Sequence, residues 1–136
     1  MGDQLSVLAE KLRHFAYGNP QIIAVLLVGS YARQAQRSDS DIDFVIIAEE
    51  KGPWLENTDW IKQFGSLKRF QFENYGEITS IRAFFNEYEV EFGIGSSRWI
   101  ALPLDEGTKQ VINDGYKIIY DRDGTLQSLL DGSGID

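Results

Sequence analysis

Two short apolar runs constrain this chain most. Residues 22–28 read Ile-Ile-Ala-Val-Leu-Leu-Val without a break, and residues 41–47 read Asp-Ile-Asp-Phe-Val-Ile-Ile. A strand with one wet face alternates apolar and polar residues, whereas an unbroken run is a strand buried on both faces. Such strands need cover on each side, and the chain supplies helices for it. Leu5, Leu8, Leu12 and Phe15 recur at helical spacing, so residues 4–17 form an amphipathic helix, ended by Gly18, Asn19 and Pro20. Residues 31–36 read as a short helix capped by Ser30, residues 37–40 as a polar loop, and residues 57–64 as a further helix after a break at Gly52 and Pro53. Three β-rich segments follow at 67–73, 78–85 and 88–94. The last two form a hairpin about Asn86 and Glu87. Residues 105–114 read as a helix stopped by Gly115, and residues 117–120 as one more strand. The expected fold is α/β (α+β): a mixed β-sheet flanked by helices, in a single domain over 1–130 with a frayed tail at 131–136.

Composition narrows the classes of function. The chain has 136 residues, and no apolar run approaches the roughly 18 residues of a membrane span. The start lacks a basic residue followed by a continuous apolar stretch, so no signal peptide is read there. There is no cysteine, which excludes disulfides and thiolate metal sites and fits a reducing cytoplasm. One histidine cannot build a multi-histidine zinc site. Net charge is −8, and the densest basic stretch is only Lys68 and Arg69, so direct nucleic-acid binding is not expected.

The chemistry concentrates in residues 29–47. A buried strand ends in Gly29 and Ser30 where a helix begins. Gly29 lets backbone approach a ligand, and Ser30 offers a hydroxyl and an amide where anions are favoured. Asp41 and Asp43 then open the next strand. Side chains alternate along a strand, so these two carboxylates share a face while Ile42 points to the core. Carboxylates side by side repel unless a cation joins them, and magnesium takes oxygen ligands from one or two carboxylates plus phosphates. A third carboxylate would complete a two-ion site. Glu91 is the first candidate, because Val90, Phe92 and Ile94 turn to the core and leave Glu89, Glu91 and Gly93 on the other face. Glu89 is the second choice. Pairing about Asn86 and Glu87 puts Arg82 opposite Glu91, either as a cross-strand ion pair or as a group that reaches phosphate.

Gly-Ser, ten intervening residues, then Asp-x-Asp on a strand resembles the signature of the polymerase-beta-like nucleotidyltransferase superfamily. The resemblance is nearest to its small bacterial branch of minimal nucleotidyltransferases and antibiotic adenylyltransferases. Gly29, Ser30, Ala32, Arg33, Ser40, Asp41 and Asp43 match that branch, and Gln34 stands where it usually has glycine. The resemblance implies a nucleotidyltransferase fold, Mg2+ as cofactor, and transfer of a nucleoside monophosphate, AMP from ATP first among them, to a hydroxyl of a small molecule or protein. It makes Asp41 and Asp43 metal ligands, and Glu91 falls where the family places its third acidic residue. It also implies an alternative: an antitoxin subunit beside a helical HEPN-type partner. The chain has too few residues left for a large acceptor domain, so a partner's surface or a homodimer would complete the cleft.

Other residues carry two readings. Arg33 either contacts phosphate or bridges to an acid such as Asp39, and Ser40 either contacts nucleotide or fixes the loop. Trp54, Trp60 and Trp99 read as packing residues before base-stacking ones, and His14 as a solvated surface residue. Residues 121–124 resemble part of a calcium loop without the rest of it, and read as a turn. A degenerate domain that binds nucleotide without chemistry is disfavoured by the intact Asp-x-Asp.

Overall fold

The computed structural model describes residues 2–32, 41–100, 106–124 and 126–128. Helix α1 (Gly2–Tyr17) leads into β1 (Ile22–Val28), the short α2 (Gly29–Ala32) and β2 (Ile42–Ala48). Helix α3 (Gly52–Glu56) and a 3-10 segment (Asp59–Phe64) precede the meander β3 (Leu67–Tyr75), β4 (Ile78–Phe85) and β5 (Glu89–Ser96). A second 3-10 segment (Ser97–Ile100), α4 (Glu106–Asp114) and β6 (Tyr116–Asp121) follow.

Among the described residues the strands form one six-stranded sheet in the order β3-β4-β5-β2-β1-β6. Only the central β2–β5 pair is parallel; every other pair is antiparallel. The apolar runs of β1 and β2 thus lie in the middle, where both faces are covered. Leu8, Leu12 and Ala16 of α1 pack on one face with Val25, Phe44 and Phe92. Trp99, Ile100 and Ile112 cover Ala24, Leu26, Val45 and Ile47 on the other. Each leucine so buried contributes about 1.5–3 kcal/mol. Asn19 closes α1 by donating its side-chain amide to the Phe15 carbonyl at 2.6 Å.

The tryptophans pack, as their sequence positions led us to expect. Trp60 stacks on Phe15 at 5.3 Å and meets the edge of Phe92 at 5.3 Å, and its Nε1 donates to the Trp54 carbonyl at 2.9 Å. Trp99 is buried in the second core. His14 lies on the open side of α1, 83% exposed. Residues 122–124 form the expected bend, and the Asp121 carboxylate accepts from the Leu126 and Gln127 amides.

The helix read at 57–64 is a 3-10 segment that starts at Asp59, and a separate helix, α3, precedes it. Pro53 stands in the first turn of α3, where its missing N–H is no loss, so Gly52 and Pro53 begin a helix instead of breaking the chain. Asn57 is extended and its side chain accepts from the Asp59 amide at 3.0 Å, which separates α3 from the 3-10 segment. Helix α2 begins at Gly29, so Ser30 stands inside it and not as its cap. The rest of that expected helix, the loop at 37–40, Arg33, Asp39, Ser40, Asp105 and the tail at 131–136 lie outside the described residues. No described helix is long and apolar enough to cross a membrane.

Candidate active site

Strand register builds the site. Asp43 pairs laterally with Val28 of β1 and with Glu91 of β5; Glu91 pairs with Arg82 of β4, and Arg82 with Gln71 of β3. Residues paired in this way share a face, so one row across the sheet carries Asp43, Glu91 and Arg82 side by side. The opposite face of the same strands holds Ile42, Phe44, Val90 and Phe92, each at most 2% exposed. That apolar face fixes the register, and the register sets the carboxylates.

Gly29 closes the row from the β1 end. Its φ is +74°, and an added Cβ would collide with the Asp43 carboxylate oxygen Oδ2. Glycine is therefore required twice here, by its backbone angle and by the close approach to Asp43.

Arg82 gathers the remaining acids. Its NH1 donates to Asp41 at 2.5 Å and to Glu89 at 2.7 Å, its NH2 to Glu91 at 2.7 Å, and its Nε to Glu73 at 3.2 Å. One guanidinium so serves four carboxylates. Asp43 is not among its hydrogen-bond partners within the described residues. The sequence offered two readings of Arg82, and the ion pair with Glu91 is present. Glu89, the second-choice ligand, shares the cluster.

The electrostatics follow from this crowding. Burial, then the charges of Glu91 and Asp41, push the Asp43 carboxyl up to about 7. Burial also raises Glu91, with Arg82 pulling the other way. Hydrogen bonds from Arg82, Tyr75 and Gln71 hold Glu73 down at about 2. Arg82 is fixed in its charged form, first by Glu73 and then by Glu89.

A cavity of about 460 Å³ opens beside the row. Asp43, Glu91, Ser80 and Gly93 line its sheet side. The turn at Gly76 and Glu77, with Tyr75, flanks one side, and Trp99, Thr108 and Val111 flank the other. Its volume suits a ligand of nucleotide size. Gly93 keeps the sheet side low, because a Cβ there would press Ile78 at 3.0 Å. A hollow of about 700 Å³ along α1, lined by Val7, Lys11 and His14, brings together no comparable set of carboxylates.

Sequence reading missed Glu73, Tyr75 and Ser80. The signal was available: a turn at Gly76, read with the same register logic as the turn at Asn86, sets Glu73 opposite Ser80 and Gln71 opposite Arg82.

Among the described residues no three acidic or histidine side chains already converge as a metal cage. The donor chemistry nevertheless fits a hard divalent cation. The donors are all oxygens, four carboxylates pair with one guanidinium, and half-buried Asp43 beside them makes no hydrogen bond to it. Magnesium needs only one or two carboxylates, because water and substrate phosphates supply the rest.

The profile of the family Polymerase beta, Nucleotidyltransferase matches residues 10–88, more than half of the chain and including β1, α2, β2, β3 and β4. A search of curated protein sequences returns no match. Among solved structures the fold is similar to a nucleotidyltransferase-like protein from Exiguobacterium sibiricum 255-15, with TM-score 0.51 and 14% identity over 93% of this chain and 37% of that one. An aminoglycoside 6-adenyltransferase from Bacillus subtilis matches with TM-score 0.48 and 16% identity over 62% of this chain and 32% of that one. The chain spans about a third of the length of these structures. The chain belongs to the polymerase beta nucleotidyltransferase family.

Proposed function

We propose that this nucleotidyltransferase moves a nucleoside monophosphate, AMP from ATP, onto a hydroxyl of a small molecule or protein, with magnesium as cofactor. The observation that carries the reading is the lateral row. It sets Asp43 and Glu91 on adjacent strands, with Gly29 against Asp43 and a nucleotide-sized cavity alongside. The adenylyl choice rests on the resemblance of the stretch from Gly29 to Asp43 to the small bacterial branch of the family.

In this reading Gly29 and Ser30 border the triphosphate, with Arg33 and Ser40 as further nucleotide contacts. The nucleoside lies in the cavity between Tyr75 and Trp99. Asp41 and Asp43 would hold magnesium, with Glu91 as third ligand or toward a second ion. The bound metal would neutralise phosphate charge and polarise the transferred group. The acceptor oxygen bonds to the α-phosphorus, the bond to the bridging oxygen breaks, and pyrophosphate leaves. Glu91, whose affinity for a proton is raised by burial, would take the acceptor's proton. Arg82 keeps Asp41 and Glu91 aimed along the row and balances part of their charge.

Calorimetric titration of ATP, with and without magnesium, tests the site directly. Binding that needs magnesium and is lost in Asp41→Asn/Asp43→Asn supports the reading. Equal binding by a folded double variant overturns it. UTP, CTP and GTP in the same cell test the adenylyl choice.

A further inference from the structure

Strand β3 is one of the two edges of the sheet, and among the described residues nothing pairs with its outer side. Edge strands usually carry a proline, a bulge, charged side chains or a short length that discourages pairing, and of these β3 has chiefly the charges, at Lys68, Arg69 and Glu73. β3 runs nine residues, its irregularity is confined to the Leu67 end, and the stretch from Arg69 to Glu73 contains neither proline nor bulge. It also holds three of the five large hydrophobic side chains exposed among the described residues: Phe70 at 39%, Phe72 at 50% and Tyr75 at 57%. Phe70 and Phe72 meet edge to face at 5.7 Å. They pair with Ala83 and Ile81, so they continue the main core's face past the point where helices cover it. Arg69, Gln71 and Glu73 alternate on the other face.

The sequence of this edge is complementary to itself. When two copies pair antiparallel about a twofold axis at Gln71, Phe70 stands opposite the partner's Phe72 on one face. On the other face Arg69 stands opposite the partner's Glu73, and Gln71 opposite the partner's Gln71. Both aromatic pairs and both opposite-charge pairs are satisfied at once, each of a kind that stabilises neighbouring strands. Centring the axis on Phe70 puts Phe72 against the partner's Lys68, and centring it on Phe72 puts Phe70 against the partner's Asn74; either keeps a single aromatic pair at the axis and loses both opposite-charge pairs. A single-residue slip opposes the aromatic face to the polar one.

We propose that β3 is a homodimerisation edge, joining two copies of this chain through an antiparallel β3–β3 pair centred on Gln71 into one continuous sheet. The interface is isologous. It also brings the partner's Arg69 to Glu73, the residue that anchors Arg82 of the carboxylate cluster. Each copy thereby contributes a charge to the rim of the other's site.

The absence of native cysteine makes cross-linking a clean probe of register. Gln71→Cys should form a covalent dimer under mild oxidation or with a short bismaleimide, while Asn74→Cys, which faces the partner's Lys68, should not. Sedimentation of the native chain should show dimer. Phe70→Lys/Phe72→Lys, two exposed substitutions, should self-associate roughly tenfold or more weakly with its circular dichroism unchanged. The proposal is overturned by a native chain that stays monomeric at the highest soluble concentration, which leaves the edge to another segment or partner. It is equally overturned by a dimer that survives the double lysine variant, or by cross-linking at 74 as efficient as at 71.

Discussion

Asp43 is the residue on which the site's electrostatics turn. Its carboxyl ordinarily titrates at 3.8 and here does so at about 7. Between those values the folded chain binds more protons than the unfolded one, so this group's contribution to stability falls as pH rises from about 4 to about 7 and then levels. In metal-free solution, urea unfolding should show Asp43→Asn losing less stability than the native chain between pH 4.5 and 7.5. A steeper or equal loss would contradict the crowding described here. Gly29→Ala is the companion test. A left-handed backbone angle costs an alanine about 1–2 kcal/mol, and the new methyl displaces Asp43 as well. Lower stability should therefore be accompanied by loss of magnesium-dependent ATP binding in calorimetry. At this scale the sequence was informative. Strand alternation put Asp41, Asp43 and Glu91 on one face, and glycine marked a close approach. What it approaches is the Asp43 carboxylate itself, which spacing along the chain does not reveal.

At the scale of elements, the meander β3–β4–β5 delivers Arg82 to four carboxylates. Removing the guanidinium strands partly buried like charges, a change that costs up to about 3–5 kcal/mol. Arg82→Gln should melt well below the native chain at neutral pH and regain much of the difference when magnesium or manganese is added. A variant as stable as the native chain without metal would show that the four contacts matter little. The hairpin about Asn86 was legible to the residue, with Arg82 opposite Glu91 as expected. The division of residues 52–64 was not. Its cause is a proline that starts a helix where a break was expected and an Asn57 side chain that sets the start of the 3-10 segment, local contacts that hydrophobic periodicity does not report. The cavity was illegible for a related reason. Gly93 lies inside a strand, where a lone glycine signals close approach, but the approaching residue, Ile78, comes from another strand.

For the whole molecule, the apolar runs correctly required a sheet covered on both faces, because no other arrangement buries them. Strand order was not legible, since no local pattern says that β2 neighbours β5. Phe92 shows how tightly core and site are joined. It is fully buried against Trp60 and Phe64, one residue from Glu91. Phe92→Ala should cost about 3–5 kcal/mol in urea unfolding. The parallel β2–β5 pair has a further consequence, for the order of folding. Hairpins close through nearby residues, whereas Ile42 must find Val90 across the whole intervening meander, a slow kind of contact exceeded in span only by β1–β6 among the described strands. That late docking also forces Asp43 against Glu91, so the repulsion useful for holding a cation is met as the chain crosses its barrier. Asp43→Asn should therefore refold faster in stopped-flow experiments. Under the proposed magnesium site, adding the ion to the refolding buffer should speed refolding of the native chain as well.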